Sequence, residues 1–255
     1  MNQECFLLEQ DGTPSFVAGV PPDYFSQYGQ RWGNPIYDWE YLENHDFDFW
    51  VERLESAMNM YDMVRIDHFR GFDTYWKIPE SEPTAVIGEW VEAPGYALFD
   101  TLYHKIPHLN ILAEDLGDLR EEVYTLRDYY HLKGMYVFQF HYQSTMDLEN
   151  LIVYTGTHDN DTLKGWIDSL EENEYKELYK MIQGYKESED YLKVIHYCLK
   201  QDAPYIIIPV WDLMGLGSEY RFNKPGTIGS YNWEYHMVSF DEFDESLNEL
   251  KHMMD

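Results

Sequence analysis

From residue 60 onward this 255-residue chain alternates short β-rich runs with stretches of helical periodicity, and that pattern restricts its fold more than any other feature. Met63-Val64-Arg65-Ile66-Asp67 reads as a strand, and Leu98, Leu102 and Ile106 then recur at the four-residue spacing of a helix. Asn110-Ile111-Leu112-Ala113-Glu114 is a second strand. Asp118, with Glu121 three residues later, is a cap signal ahead of Leu119, Val123, Leu126 and Tyr130, which share one helical face. Residues 135–140, 151–155 and 205–210 read as the third, fourth and fifth strands. Leu163, Trp166, Ile167 and Leu170 mark a further helix, as do Leu192, Ile195, His196 and Leu199, and a last one runs from about Asp241 with Phe243, Leu247 and Leu250 inward. Strands separated by helices imply parallel pairing in βα units.

Residues 1–60 differ. They are irregular and rich in Pro, Gly and aromatics, and they end in a helix bearing Phe47, Trp50, Val51, Leu54 and Met58. No Ser/Gly/Pro-rich linker and no repeat divides the chain, so residues 1–255 are expected to form one α/β domain with 1–60 as a long connection. Five strands are too few to close an eight-stranded barrel, and an open five-stranded sheet is the alternative. The longest apolar run, residues 205–211, falls far short of the roughly 20 residues a spanning helix needs. The first five residues carry no signal-peptide pattern, and two cysteines, Cys5 and Cys198, suggest reduced thiols in the cytoplasm.

Asp and Glu number 47 against 18 Lys and Arg, giving a formal charge of −29, which we assign to solubility. A polyanion of this strength is a poor partner for nucleic acid or for an anionic membrane surface. Aromatic residues make up 17% of the chain, enough either for a large aromatic core or for a surface that stacks on flat, uncharged faces such as sugar rings.

Three acidic residues, Asp67, Glu114 and Asp159, fall at or just beyond the C-terminal ends of expected strands, where α/β barrels carry catalytic groups. A single one of them would ordinarily be a helix cap or a loop ion pair; three in register are harder to read that way. Arg65 and Asp67 are two apart on a strand, so they share a face, and an Arg there favours the ionised carboxylate that a nucleophile requires, although a structural ion pair has the same spacing. Glu114 follows Ile111-Leu112-Ala113, an apolar setting that favours a protonated carboxyl. One ionised and one protonated carboxyl are the pair used in glycosidic bond cleavage.

Thr155-Gly156-Thr157-His158-Asp159-Asn160-Asp161 is dense in polar groups suited to sugar hydroxyls; a metal is conceivable there, but no second His or Cys stands at ligand spacing. Residues 20–35 hold Tyr24, Phe25, Tyr28 and Trp32 among Pro and Gly, and read as a shaped loop rather than a helix or strand. That loop is either pinned to the core by its own aromatics or forms a sugar-stacking wall. No phosphate-binding glycine loop and no serine-hydrolase elbow is present.

The strings Val64-Arg65-Ile66-Asp67-His68-Phe69-Arg70-Gly71, Ala113-Glu114-Asp115-Leu116-Gly117 and residues 155–162 closely resemble the 4-α-glucanotransferase family, the amylomaltases or disproportionating enzymes. So do residues 19–35, 213–219 and 223–226. The resemblance implies a (β/α)8 barrel of the α-amylase type and a retaining mechanism that moves α-1,4-glucan segments to the 4-hydroxyl of another glucan or of glucose. In that scheme Asp67 is the nucleophile, Glu114 the general acid/base and Asp159 the third carboxylate. Arg65 orients Asp67, and His68 and His158 touch the sugar. Asp23, Tyr24, Phe25 and Trp32 line the groove, with Asn223 on a further loop. No cofactor or metal is implied. Family members carry a long N-terminal part with the first three barrel strands, so the five strands here correspond to strands four to eight. Unpaired edges are then expected at 63–67 and 205–210, with a missing N-terminal half as partner. A hydrolase using the same carboxylates and a non-catalytic glucan-binding remnant are the competing readings.

Overall fold

Residues 1–60, expected as an irregular connection ending in a helix, contain that helix together with two strands and a second, shorter helix in the computed structural model, which describes residues 2–23, 26–227, 229, 231–237 and 239–254. The chain divides into two compact units, residues 1–134 and 135–255. In chain order the first unit contains β1 (Phe16–Val20), β2 (Gln30–Pro35), α1 (Trp39–Asn44), α2 (Asp48–Met58) and β3 (Val64–Ile66). It continues with β4 (Thr74–Pro79), β5 (Glu89–Glu92), α3 (Gly95–Lys105), β6 (Ile111–Ala113) and α4 (Glu121–Tyr129).

Four of these strands form an antiparallel sheet in the order β2-β1-β4-β5, which the alternation of strands and helices did not foretell. The expected loop 20–35 is therefore corrected at its C-terminal end, since Gln30–Pro35 is a strand. The physical reason lies across the ladder. Arg31-Trp32-Gly33-Asn34 has no apolar alternation of its own, and its pairing is supplied by β1, whose Gly19 opposes Arg31. A Cβ at Gly19 would sit 2.0 Å from the Gln30 carbonyl, so only glycine admits this approach.

The βα alternation is borne out around the second sheet. β3 and β6 pair in parallel, Ile66 beside Ala113. Ile66, Ile111 and Ala113 join a core with Leu98, Phe99 and Leu102 of α3 and Val123 and Leu126 of α4. Arg65 and Leu112 point to the opposite face, which Asp67 and Glu114 continue by the two-residue period of a strand. One cap differs from expectation. Asp118 does not cap α4, which starts after Arg120, and the Arg120 guanidinium grips Asp73 through Nε–Oδ2 (2.5 Å) and Nη2–Oδ1 (2.7 Å).

β7 (Gly134–Val137) begins at the boundary, and the second unit continues with α5 (Phe138–His141), β8 (Leu151–Tyr154), α6 (Leu163–Ser169), α7 (Glu172–Ile182) and α8 (Asp190–Leu199). It ends with β9 (Tyr205–Ile207), α9 (Val210–Leu213) and α10 (Phe240–Met254). The sheet order is β7-β8-β9, with β8 and β9 parallel. Two expected strands are shortened. Residues 138–141 turn into α5, closed by the contact between the Val137 amide and His141 Nδ1 (3.2 Å), and Pro209, which has no N–H to give a ladder, starts α9. Leu151 and Val153 pack into a core with Leu163, Leu178, Ile182, Leu192 and Ile195, while Ile152 is buried on the other face, as in a parallel strand covered on both sides.

Among the described residues β3 pairs only with β6, and β9 only with β8, so each ends its sheet. Tyr205 and Ile207 of β9 are about half exposed. No helix among the described residues is long and apolar enough to cross a membrane.

Candidate active site

At the end of β3 the chain passes from extended to left-handed conformation at His68 (φ 50°) and then into a short 3-10 turn whose Phe69 and Phe72 are buried. The reversal sends two successive amides to the end of β6. His68 N donates to Glu114 Oε2 at 2.7 Å, and Phe69 N to the Glu114 carbonyl at 3.0 Å. Leu116 N donates to Glu114 Oε1 at 3.2 Å, so each carboxyl oxygen has a backbone donor. Burial pushes the Glu114 carboxyl above the usual carboxylate range, and the negative charge of Asp67 pushes it the same way; the two amides and Arg65 offset part of this. Asp67 is itself the exposed member, its Oδ1 2.8 Å from Arg65 Nη2. The shared strand face thus yields the ion pair, and the apolar strand before Glu114 yields the raised carboxyl.

His68 is mostly buried, and desolvation lowers its imidazole to about 4 despite the adjacent Asp67, so it is neutral at physiological pH. Its Nε2, like Trp50 Nε1, is buried with no hydrogen-bond partner among the described residues. Both residues line a cavity of about 690 Å³ together with Trp32, Asn34, Tyr37, Trp39, Arg53, Arg65 and Asp67. Trp32, 42% exposed on β2, stands edge-on to the His68 ring at 4.8 Å between centroids. Glu114 is not part of that lining. Asp23 is exposed, also outside the lining, and its Oδ1 accepts the Ser26 amide at 2.7 Å, which closes a turn. Tyr24 and Phe25 lie outside the described residues.

The second unit holds the other three expected residues close together. His158 and Asp159 follow β8, with His158 Nε2 3.4 Å from Asp159 Oδ2. Asn223 Nδ2 donates to Asp159 Oδ1 at 2.6 Å, and Arg221 Nη2 donates to the Asp159 carbonyl at 2.7 Å. The His158 ring lies 5.2 Å from that of Trp233, itself in left-handed conformation (φ 65°). The loop is further tied by Asn160 Oδ1, which accepts from the Thr157 amide and hydroxyl at 2.9 and 2.8 Å. Among the described residues no group of three or more His, Cys, Asp or Glu is arranged to hold a metal ion.

Two neighbouring carboxyls in unlike surroundings, one exposed and paired with an Arg and one raised by burial, are the equipment of glycosidic chemistry. The family is decided by comparison: residues 1–240 match the model of the 4-alpha-glucanotransferase family. This chain belongs to that family. The 4-alpha-glucanotransferase of Thermus thermophilus is 44% identical over 250 residues, covering 92% of this chain and 50% of the relative. The chloroplastic/amyloplastic 4-alpha-glucanotransferase of Solanum tuberosum is 40% identical, covering 99% and 46%. Among solved structures, the amylomaltase from Streptococcus agalactiae in complex with acarbose matches with a TM-score of 0.93 at 35% identity, over 99% of this chain and 53% of that one. The amylomaltase from Corynebacterium glutamicum, at 17% identity and a TM-score of 0.73, shares the fold. The chain spans about half the length of the curated relatives it matches.

Several residues of these clusters carry no functional signal in the sequence. Tyr37, Trp39, Trp50 and Arg53 line the cavity but sit in α1, α2 and the approach to them, where they read as ordinary core aromatics and a surface cation. Arg221 lies between the two late motifs and contributes through its guanidinium to a backbone carbonyl, a contact without a sequence signature. Trp233 carried only its residue type as a signal.

Proposed function

We propose that this chain carries the reacting carboxylates of an α-1,4-glucan transferase that works by retaining double displacement. Asp67 attacks the anomeric carbon of the donor glucan while Glu114 gives its proton to the departing 4-oxygen, leaving a glycosyl ester on Asp67. Glu114, now ionised, takes the proton from the 4-hydroxyl of an acceptor glucan or glucose. That oxygen attacks the same carbon and frees Asp67, so protons and bonds balance over the cycle and configuration is retained. The observation that carries this reading is the Asp67–Glu114 pair at the ends of two parallel neighbours, Ile66 beside Ala113. Neighbouring strands lie roughly 4.8 Å apart, which suits the carboxyl separation of about 5–5.5 Å that retaining enzymes use.

The other residues divide by their surroundings. Arg65 orients Asp67 through their 2.8 Å ion pair. Trp32 offers a ring to stack on a sugar within the cavity that His68 and Trp50 also line. Asp159 and His158 are assigned to sugar hydroxyls, with Asn223 holding the Asp159 carboxylate. Asp23, Tyr24 and Phe25 are assigned to the groove that admits donor and acceptor. The acarbose bound to the Streptococcus agalactiae amylomaltase supports a glucan-like ligand. No cofactor takes part.

The proposal extends to the (β/α)8 barrel, with residues 1–255 as part of one catalytic domain and the five parallel-type strands as its strands four to eight. A polypeptide equivalent to the other half of the relatives' length then pairs with the free edges of β3 and β9. The cytoplasmic setting belongs to the same proposal and rests on the two buried, unbridged thiols.

The test is product analysis from maltotriose, using the chain alone and mixed with a separately made polypeptide for that other half. The expected result is glucose with a ladder of longer maltooligosaccharides in the mixture, absent when the chain carries Asp67→Asn. Glucose and maltose without a ladder would mean water is the acceptor and transfer is wrong. No product in any mixture would overturn the enzymatic reading.

A further inference from the structure

Asp212, on α9, is fully buried, yet it belongs to none of the roles above. Its Oδ2 accepts the Thr155 hydroxyl at 2.6 Å and its Oδ1 accepts the Leu163 amide at 2.7 Å. Thr155 directly follows β8 and Leu163 begins α6, so one carboxyl holds both ends of residues 156–162, the loop that carries His158 and Asp159. Between the two anchors there is no room for slack. A Cβ on Gly156 would meet Gln139 Nε2 at 2.7 Å and Asp212 Oδ2 at 3.4 Å, and Gln139 Nε2 itself donates to the Asp161 carbonyl at 2.9 Å. Thr155 and Leu163 are fully buried, so neither anchor exchanges its contact for solvent.

We infer that Asp212 is a positioning residue: by spanning Thr155 and Leu163 from beneath, it sets the conformation of the loop that presents His158 and Asp159. This rests on the proposed role of Asp159 in glucan transfer. A carboxyl suits the place because both partners approach it as donors, and hydrogen bonds to a charged acceptor are the stronger kind. A side chain that merely filled space here would affect stability without affecting the loop.

Amide hydrogen exchange on the 255-residue chain at fixed pH separates the two. The Thr157 and Asn160 amides are bonded within the loop, to Asn160 Oδ1 and to the Thr157 carbonyl, and do not touch Asp212. In Asp212→Ala both are expected to exchange about tenfold faster relative to global unfolding, the size of one charge-assisted hydrogen bond. Asp212→Asn, which keeps the shape and the Leu163 contact, is expected to change them less and serves if the Ala variant fails to fold. Ile182→Val, a change in the core at α7, should leave both unchanged relative to global unfolding. Faster exchange confined to Leu163, or an equal response to Ile182→Val, would overturn the inference. Acarbose binding is measured on the same samples. Absence of binding by the unaltered chain counts against the glucan reading alone, because the exchange data decide the role of Asp212 independently.

Discussion

At the scale of single residues, neighbouring groups of the candidate site have opposite surroundings. Asp67 is exposed and ion-paired, whereas Glu114 is tucked behind two amides where burial raises it. Because the charge of Asp67 is the second cause of that rise, Asp67→Asn should lower the Glu114 midpoint, which carboxyl-carbon NMR titration of the isolated chain would read directly. An unchanged midpoint would mean the two carboxyls are not coupled. His68 should titrate near 4 by proton NMR, and a midpoint near 6.5 would contradict its burial. The linkage has a definite sign. The folded imidazole binds its proton less readily than the unfolded one, so His68 makes the fold lose stability as pH falls from about 6.5 toward 4, where only the unfolded state takes up the proton. The Arg65–Asp67 pair and the apolar setting of Glu114 were legible in the sequence, because both follow from strand period and immediate neighbours. The buried Asp212 was not legible, because its partners lie 57 and 49 positions away in the chain.

At the scale of elements the parallel βα units carried their own signal, since strands covered on both faces are continuous apolar runs and the helices keep one apolar face. The antiparallel sheet carried none. β2 is short of apolar residues and is a strand because β1 pairs with it across the Gly19 position. Gly19→Ala should therefore cost on the order of 1–3 kcal/mol in urea unfolding, since the new methyl meets backbone at 2.0 Å rather than a yielding side chain. It should also weaken any ligand that stacks on Trp32, the residue β2 carries. A loss below about 0.5 kcal/mol, the usual scale of neutral surface changes, would show that the strands can part without consequence. Two element ends differ from expectation, one for a long-range reason and one for a local one. Arg120 is recruited by Asp73, 47 positions earlier, and Pro209 ends a run that otherwise reads as a strand.

At the scale of the whole molecule, the chain matches the 4-alpha-glucanotransferase family over about half a relative's length, and among the described residues β3 and β9 each end a sheet. Chemistry that depends on positioning suffers roughly a hundredfold from a misplacement of about 1 Å, so a polypeptide that completes the sheets should raise turnover by at least that factor. With Asp67 as the proposed nucleophile, Asp67→Asn in the completed protein should lower transfer roughly ten-thousandfold or more. The most direct test of the central claim is to trap the glycosyl group. The chain carrying Glu114→Gln, mixed with the complementing polypeptide, is treated with an α-maltosyl fluoride, whose fluoride departs without a general acid while the second step still lacks its base. The account predicts a protein adduct heavier by one maltosyl residue, mapping by peptide mass spectrometry to Asp67 and absent when Asp67→Asn is added. An adduct on any other carboxylate, or one that survives Asp67→Asn, would contradict it.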